Sequence, residues 1–316
     1  MDASAFLADL ERSPAVLAAF ADTVERGDVV WPVTPPPARV LLMGMGSSLY
    51  AAQVAALRLR GHGINAVAES GAAEATWPGA PDDLVVGISA GGGSVETNRL
   101  FAECSGARRV ALTNTDGSAI TASADAVVHL RAERESGGVA CRSFVHTIAA
   151  LLVLEQQLTG IDLHLPQRFR AAVDAAHHLL DTRGEWLPEA ARLLAGPHGT
   201  WVLAPAERLS SAMQGALMFR EGPRRAAVGT ETGDWSHVEV YLTTTLDYRA
   251  LVFSGSRWDA PAADWLTQRA STVVAVGEFP GAALSIHHPG SDDPIVRLLA
   301  ETLVPDLVAA HLWAAG

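Results

Sequence analysis

Lysine is absent from this 316-residue sequence, in which all 23 basic side chains are arginines. A lysine amine is needed for Schiff-base catalysis, for anchoring pyridoxal phosphate and for the usual nucleotide-binding P-loop. The sequence therefore excludes these three chemistries in their usual form, and no cofactor is predicted. Adjacent histidines at 177–178 and 287–288 diverge on a helix or strand, so no metal site is predicted either.

Cysteine is also scarce. The two cysteines, Cys104 and Cys141, are too few for a disulfide framework or a cysteine metal site. The first residues do not resemble an export signal, and no apolar run reaches the length that spans a membrane. Acidic side chains outnumber basic ones by 35 to 23, which leaves the chain without the basic surface of a nucleic-acid-binding protein. These absences predict a cytoplasmic globular protein that binds neither nucleic acid nor membranes.

Two loops rich in glycine and serine follow apolar segments in the first half of the chain. They cover residues 44–48 (Gly-Met-Gly-Ser-Ser) and residues 89–94 (Ser-Ala-Gly-Gly-Gly-Ser), and each precedes a helix-like stretch. Such loops present backbone N–H groups, hydroxyls and the positive end of a helix dipole. The pattern favours an anionic ligand such as a sugar phosphate, although the same residues also occur in ordinary strand-to-helix turns.

Apolar segments of strand length alternate with helical segments along the chain, which indicates a parallel sheet covered on both faces. This alternation of predicted strands and helices occurs twice along the chain. The predicted strands at 39–43, 84–89 and 110–113 have counterparts at 201–203, 250–253 and 273–276. A repeat of this length indicates duplicated domains. We predict an α/β protein with four parts, namely an N-terminal helix (1–27), a first domain (28–165), a linker helix (166–190) and a second domain (191–316).

Four motifs give the chain a recognisable resemblance to a family. They lie at residues 46–48, 88–94, 138–144 and 214–221, and His237 follows Glu221 by 16 residues. Their order and separations resemble those of the SIS (sugar isomerase) domain family, and are most similar to the isomerase half of glucosamine-6-phosphate synthase. The resemblance implies two tandem SIS domains, each a flavodoxin-like parallel sheet flanked by helices in an αβα sandwich.

The resemblance also implies roles for individual residues. Glu221 matches the base that moves a proton between C1 and C2 of the sugar, and His237 matches a ring-opening histidine supplied by the neighbouring subunit. The protein is thus expected to be a homodimer with shared active sites, acting on a sugar phosphate or amino-sugar phosphate. The positions expected to bind the substrate and its phosphate are Gly46, Ser47, Ser48, Ser89, Gly91, Gly92, Ser94, Val139 and Arg142.

Arg142 is included for its own chemistry, because a guanidinium at a helix start can hold a phosphate through two hydrogen bonds. A structural ion pair with Glu133 or Glu135 is the alternative. Elsewhere the sequence departs from the family: Gly91 replaces a serine and Met218 replaces a lysine.

Isomerisation itself does not require an amine. It requires a carboxylate that removes a proton next to a carbonyl and an acid/base that opens the ring. Glu221 and His237 are expected to fill these roles, the alternatives being a solvated helix-terminal carboxylate and a surface histidine.

Three classes of function stay open at this stage. The first is a lysine-independent isomerase or deglycase, the second a noncatalytic sugar-phosphate sensor, and the third an NAD-dependent dehydrogenase. The dehydrogenase alternative depends on a partial G-x-G-x-x-G match that begins at Gly44, with Leu49 in place of the third glycine and Glu69 near the position of a ribose-binding acid. The duplicated motifs favour the first class.

Overall fold

The computed structural model describes all residues, 1–316, and confirms the α/β class. Two five-stranded sheets are present, and every strand pair in them is parallel. The chain forms two compact units, which we call the N-sheet unit (residues 16–134 and 142–170) and the C-sheet unit (residues 1–15, 135–141 and 171–316). The domain boundaries expected from the sequence stay predictions.

The N-sheet has the strand order β2-β1-β3-β4-β5, which is the flavodoxin-like order. Its strands β1 and β3 are almost wholly buried, because helices cover both faces of a parallel sheet. The order differs from that of dinucleotide-binding sheets, which counts against the dehydrogenase alternative. The elements are α1 (Ala3–Glu25), β1 (Arg39–Gly44), α2 (Ser47–Gly61), β2 (Ala66–Ser70), β3 (Asp83–Ile88), α3 (Val95–Glu103), β4 (Arg108–Thr113), β5 (Ala126–His129) and α4 (Arg142–Thr159).

The C-sheet has the order β10-β9-β8-β6-β7, which is the same arrangement counted within its own half of the chain. The predicted repeat of the sheet is thus confirmed, and the assignment of the second copy to the SIS family stays a prediction. The elements are α5 (Leu165–Asp181), α6 (Arg183–Leu194), β6 (Thr200–Ala204), α7 (Leu209–Glu221), β7 (Ala227–Glu231), α8 (Thr232–Trp235), β8 (Arg249–Phe253), α9 (Asp259–Gln268), β9 (Thr272–Val276), β10 (Leu284–Ile286), α10 (Pro294–Ala300) and α11 (Leu303–Ala315).

Two features of the fold could not be seen in the sequence pattern. Strands β7 and β10 are edge strands with exposed or half-buried positions, so they lack the continuous apolar run of a central strand. The segment predicted as one linker helix contains α5 and the start of α6, which meet at Thr182. Among the helices of the chain, none is both long and apolar enough to cross a membrane.

A buried histidine makes the stability of the N-sheet unit depend on pH. His146 on α4 is 1% exposed, and its Nδ1 lies 2.8 Å from the carbonyl oxygen of Leu130. Its Nε2 is buried without a hydrogen-bond partner, and burial lowers the pKa of His146 to about 4 from an ordinary value of 6.5. The unfolded chain therefore binds a proton at His146 between these values while the folded chain does not, so stability is lost as the pH falls through this range.

We expect this histidine to remove about 2 kcal/mol from the free energy of unfolding between pH 7.5 and pH 5. Denaturant unfolding of the wild type and of His146→Asn at both pH values measures the effect, because asparagine keeps a donor for Leu130 and does not titrate. The loss on acidification should be smaller in the variant by that amount. Equal losses in the two proteins would contradict the prediction.

Candidate functional site

The two glycine-serine loops lie side by side in the N-sheet unit, because they follow the neighbouring strands β1 and β3. A Cβ added to Gly44 would stand 2.7 Å from the Cβ of Ser48 and 3.2 Å from the carbonyl oxygen of Ile88. The two strands form the topological switch point of this sheet, which is where open α/β sheets bind ligands. The structure therefore brings together the two loops that the sequence assigned to an anion.

The first loop opens α2 in the geometry of an anion-binding turn. Gly46 has a φ of 52°, a left-handed conformation that suits glycine, and α2 begins at Ser47 directly after it. Ser47 and Ser48 are half-buried in the first turn, next to the positive end of the helix dipole. Their hydroxyls are suitable donors to a phosphate, whereas the backbone N–H of Ser48 already donates to the carbonyl oxygen of Met45 at 3.1 Å.

The second loop offers fewer hydroxyls than the sequence suggested. Ser89 is buried, and Gly91 is exposed at the turn. Gly92 has a φ of 68° and is buried against Ser118, where a side chain would collide. Gly92 is therefore needed for the shape of the loop, whatever it contributes to a ligand.

Ser94 is the N-cap of α3, since its Oγ accepts a hydrogen bond from the backbone N–H of Thr97 at 3.3 Å. The same hydroxyl lies 3.2 Å from a carboxylate oxygen of Glu96. A capping role explains a serine at this position without a ligand, and a carboxylate beside it disfavours a second anion. The assignment of Ser94 to a phosphate stays a prediction, and the structure favours the capping role.

Arg142 is the buried first residue of α4, and its side chain holds the backbone of the preceding loop. Its Nε donates to the carbonyl oxygen of Ala132 at 3.0 Å, and its Nη2 donates to that of Arg134 at 2.7 Å. With an exposure of only 1%, the guanidinium has little surface to offer a ligand. This geometry favours a structural role over phosphate binding, with backbone carbonyl groups as the partners, and the ion pair with Glu133 or Glu135 stays a prediction.

Val139 lies in the loop of residues 135–141, which belongs to the C-sheet unit. The buried carboxylate of Asp9 on α1 accepts hydrogen bonds from the backbone N–H groups of Ser136 and Gly137, both at 2.7 Å. The side chain of Val139 is 3% exposed, so any contact with a sugar would involve its backbone. Asp9 was not identified from the sequence, because its target is 127 positions away along the chain.

Two further side chains hold the other end of this loop. The Glu135 carboxylate accepts the backbone N–H of Cys141 at 2.7 Å. The amide of Gln214, a fully buried residue of α7, donates to the carbonyl oxygen of Ala140 at 2.7 Å. Gln214 belongs to the fourth motif, and it links that motif to the third. Cys141, at the end of this loop, is buried.

Glu221 is the last residue of α7 and is half-buried. Burial raises the pKa of its carboxyl group, while the nearby guanidinium groups of Arg220 and Arg224 lower it. The next residue, Gly222, packs so closely on Trp313 that a Cβ would stand 3.1 Å from the indole ring. A carboxylate that is partly removed from water is a better base near neutral pH than a solvated one.

His237 is exposed and lies in the turn after α8. Helix α7 begins at the carboxyl edge of the C-sheet and runs back to the amino edge, so Glu221 lies at the amino edge. The contact of Arg225 with the carbonyl oxygen of Gly196, at 2.5 Å, confirms this position, because Gly196 precedes β6. His237 follows β7 and therefore lies at the opposite edge. The structure does not bring Glu221 and His237 together within one chain.

Comparison with known families identifies part of this architecture. The family model described as "SIS domain" matches residues 36–156 of the chain. The glutamine–fructose-6-phosphate aminotransferase [isomerizing] of Pyrobaculum aerophilum is 29% identical over 167 residues, which cover 51% of this chain and 28% of that protein. The chain spans less than two fifths of the length of the curated relatives it matches.

Solved structures resemble the chain over nearly its whole length. The C-terminal domain of glucosamine-fructose-6-phosphate aminotransferase from Francisella tularensis gives a TM-score of 0.86 at 12% identity, covering 98% of this chain and 95% of that one. Tagatose-6-phosphate ketose/aldose isomerase from Escherichia coli gives 0.80 at 15% identity, covering 100% and 94%. At these identities the likeness shows the fold, and it confirms the predicted fold class.

Proposed function

We propose that this SIS-domain protein is an aldose–ketose isomerase or a deglycase that acts on a sugar phosphate or amino-sugar phosphate without a lysine or a cofactor. The observation that carries the proposal is Glu221, a half-buried carboxylate with a raised pKa at the position that the family resemblance gives to the base. The SIS match over residues 36–156 and the two converging loops support a phosphorylated sugar as the substrate.

The chemistry follows from the groups that are present. The hydroxyls of Ser48 and Ser89 bind the phosphate beside the positive end of the α2 dipole. The Glu221 carboxylate takes the proton from C2 of the open-chain aldose, the electron pair of that C–H bond forms the C1=C2 double bond, and the C1 carbonyl pair moves to O1 to give an enediolate. The proton of the C2 hydroxyl passes to O1, so the C2 carbonyl forms when C1 is protonated. Glu221 then returns the proton to C1, which yields the ketose. Ring opening precedes these steps and requires proton transfer to the ring oxygen, which is the role proposed for His237.

A cytoplasmic homodimer with shared sites completes the proposal. Glu221 and His237 lie at opposite edges of the C-sheet, so His237 is proposed to act in the site of a second copy. Val238 and the 3-10 turn that follows it (Glu239–Thr244) expose three apolar side chains, namely Val238, Tyr241 and Leu242, at 54%, 70% and 38%. Apolar side chains grouped in this way are typical of a surface that another chain covers.

A noncatalytic sugar-phosphate sensor is the second candidate. It is favoured by the separation of Glu221 from His237 in one chain and by the absence of lysine. The two candidates differ in one measurable property, because a sensor binds the sugar phosphate and never exchanges its C1 or C2 protons. Incubation with sugar phosphates in deuterated water, followed by NMR, therefore tests the proposed activity directly.

The phosphate site has its own test in ligand-induced stabilisation. A sugar phosphate at one hundred times its Kd is expected to raise the free energy of unfolding by about 2.7 kcal/mol, which thermal unfolding detects as a higher Tm. Ser48→Ala and Ser89→Ala should each weaken binding by roughly tenfold or more, because a hydrogen bond to a charged group is lost. Ser105→Ala, at an exposed serine outside both loops, is the matched control. If no sugar phosphate raises the Tm, the phosphate site is refuted.

A further inference from the structure

A separate pocket lies at the carboxyl edge of the C-sheet, where the neighbouring strands β6 and β8 end. It occupies the position in this sheet that the two glycine-serine loops occupy in the N-sheet. Its volume is about 520 Å³, within the range of roughly 300–1,000 Å³ that is usual for small-molecule sites. The lining comes from residues 205–207 after β6, from Glu231 at the end of β7 and from residues 255–258 after β8.

The loop after β8 cannot serve as a phosphate cradle, because its backbone donors are already occupied. The N–H groups of Gly255 and Ser256 donate to one carboxylate oxygen of Asp259, at 2.6 and 3.2 Å. In anion-binding loops these N–H groups face the ligand. Here the carboxylate of the chain itself takes the place of the anion.

The cationic groups beneath this loop are also engaged. Arg208 and Arg297 both donate to the carbonyl oxygen of Ser254, and Arg208 forms a buried ion pair with Glu301. Neither guanidinium is among the groups that line the pocket. The pocket therefore has the position of an anion site without the donors that bind an anion.

The wall of the pocket places an indole beside a carboxylate. Trp258 is 50% exposed, which is unusual for so large an apolar side chain. A Cβ on Gly233 would stand 2.7 Å from Cδ1 of Trp258 and 2.9 Å from Oε2 of Glu231, so the two groups are neighbours. Glu207 adds a second carboxylate to the lining, and Arg257 adds one guanidinium. An aromatic face beside carboxylates attracts a cation, and it also accepts the apolar face of a sugar ring.

We propose that this pocket is a second ligand site, which binds an unphosphorylated amino sugar with its ammonium group at Glu231 and its ring on Trp258. The pocket shares no residue with the loops at 44–48 and 89–94, so the proposal does not depend on the proposed isomerase activity. The carboxylates supply the countercharge for the ammonium group, and the Asp259 carboxylate disfavours a phosphate at the same place.

Isothermal titration calorimetry of the full chain, with D-glucosamine, glucose and inorganic phosphate as ligands, tests the proposed site. We expect glucosamine to bind, glucose to bind about tenfold more weakly, and added phosphate to leave glucosamine binding unchanged. Trp258→Ala and Glu231→Gln should each weaken glucosamine binding by about tenfold or more. Glutamine keeps an acceptor for the backbone N–H of Asp234, which Glu231 now caps at 2.8 Å, so this variant is expected to stay folded. Thermal unfolding of each variant checks the fold.

Two controls separate this site from others. Trp265→Ala removes another exposed tryptophan, 41% exposed on α9 and outside the pocket, and should leave glucosamine binding unchanged. Ser48→Ala alters the proposed phosphate site and should have no effect on glucosamine either. The proposal is overturned if glucosamine does not bind, if glucose binds equally well, or if the folded Trp258→Ala and Glu231→Gln variants bind as the wild type does.

Discussion

Replacing Glu221 with glutamine is expected to slow the exchange of C1 and C2 protons with solvent by roughly 10²- to 10⁴-fold, while sugar phosphate binding changes little. Glutamine has the shape of the carboxylate but cannot accept the proton. The lost interaction belongs to the transition state, so the rate falls and the ground-state affinity stays. Proton NMR in deuterated water measures the exchange, and titration calorimetry measures the binding.

The control for this variant is Glu185→Gln, which removes an exposed carboxylate on α6 and should leave the rate unchanged. The pH dependence gives a second readout. Because burial raises the pKa of Glu221, the wild-type rate should fall on acidification at a higher pH than an ordinary glutamate would produce. Near wild-type exchange in Glu221→Gln would rule out this residue as the base. Binding without exchange by the wild type would favour the sensor.

Mixing two inactive variants is expected to restore activity if sites are shared between subunits. Glu221→Gln removes the base, and His237→Ala removes the ring-opening group, with an expected loss of roughly 10²-fold or more for each. A heterodimer of the two contains one site in which both groups are intact. After subunit exchange, up to about a quarter of wild-type activity should return, since half the dimers are mixed and each has one complete site.

The physical reason for this expectation is the geometry of the C-sheet. The chain passes from Glu221 through β7 to His237, and a strand of five residues separates the two sheet edges by about 17 Å. A side chain does not cross that distance, so a site that uses both groups needs two chains. Complementation should disappear when the same variants are mixed under conditions that prevent subunit exchange. Full activity of His237→Ala alone would show that His237 has no catalytic role.

Much of the fold was predictable because local sequence carries the signal. The central strands are continuous apolar runs, and glycine-serine turns mark the starts of the helices that follow. The two loops at 44–48 and 89–94 lie side by side because they follow neighbouring parallel strands, whose carboxyl ends share one edge of the sheet. The edge strands β7 and β10 were missed because partly exposed strands do not show this pattern.

By itself the sequence determined the α/β class, the repeated sheet and the position of the two glycine-serine loops, because apolar periodicity and turn residues are local signals. The absence of lysine from the whole chain excluded lysine chemistry. Only the tertiary structure decided what individual side chains do. Arg142 holds carbonyl groups, Ser94 caps a helix, and Asp259 occupies the N–H groups of its own loop. The tertiary structure also places Glu221 and His237 at opposite edges of the C-sheet. These outcomes depend on the direction of each chain segment and on contacts between distant residues, which a linear spacing does not encode.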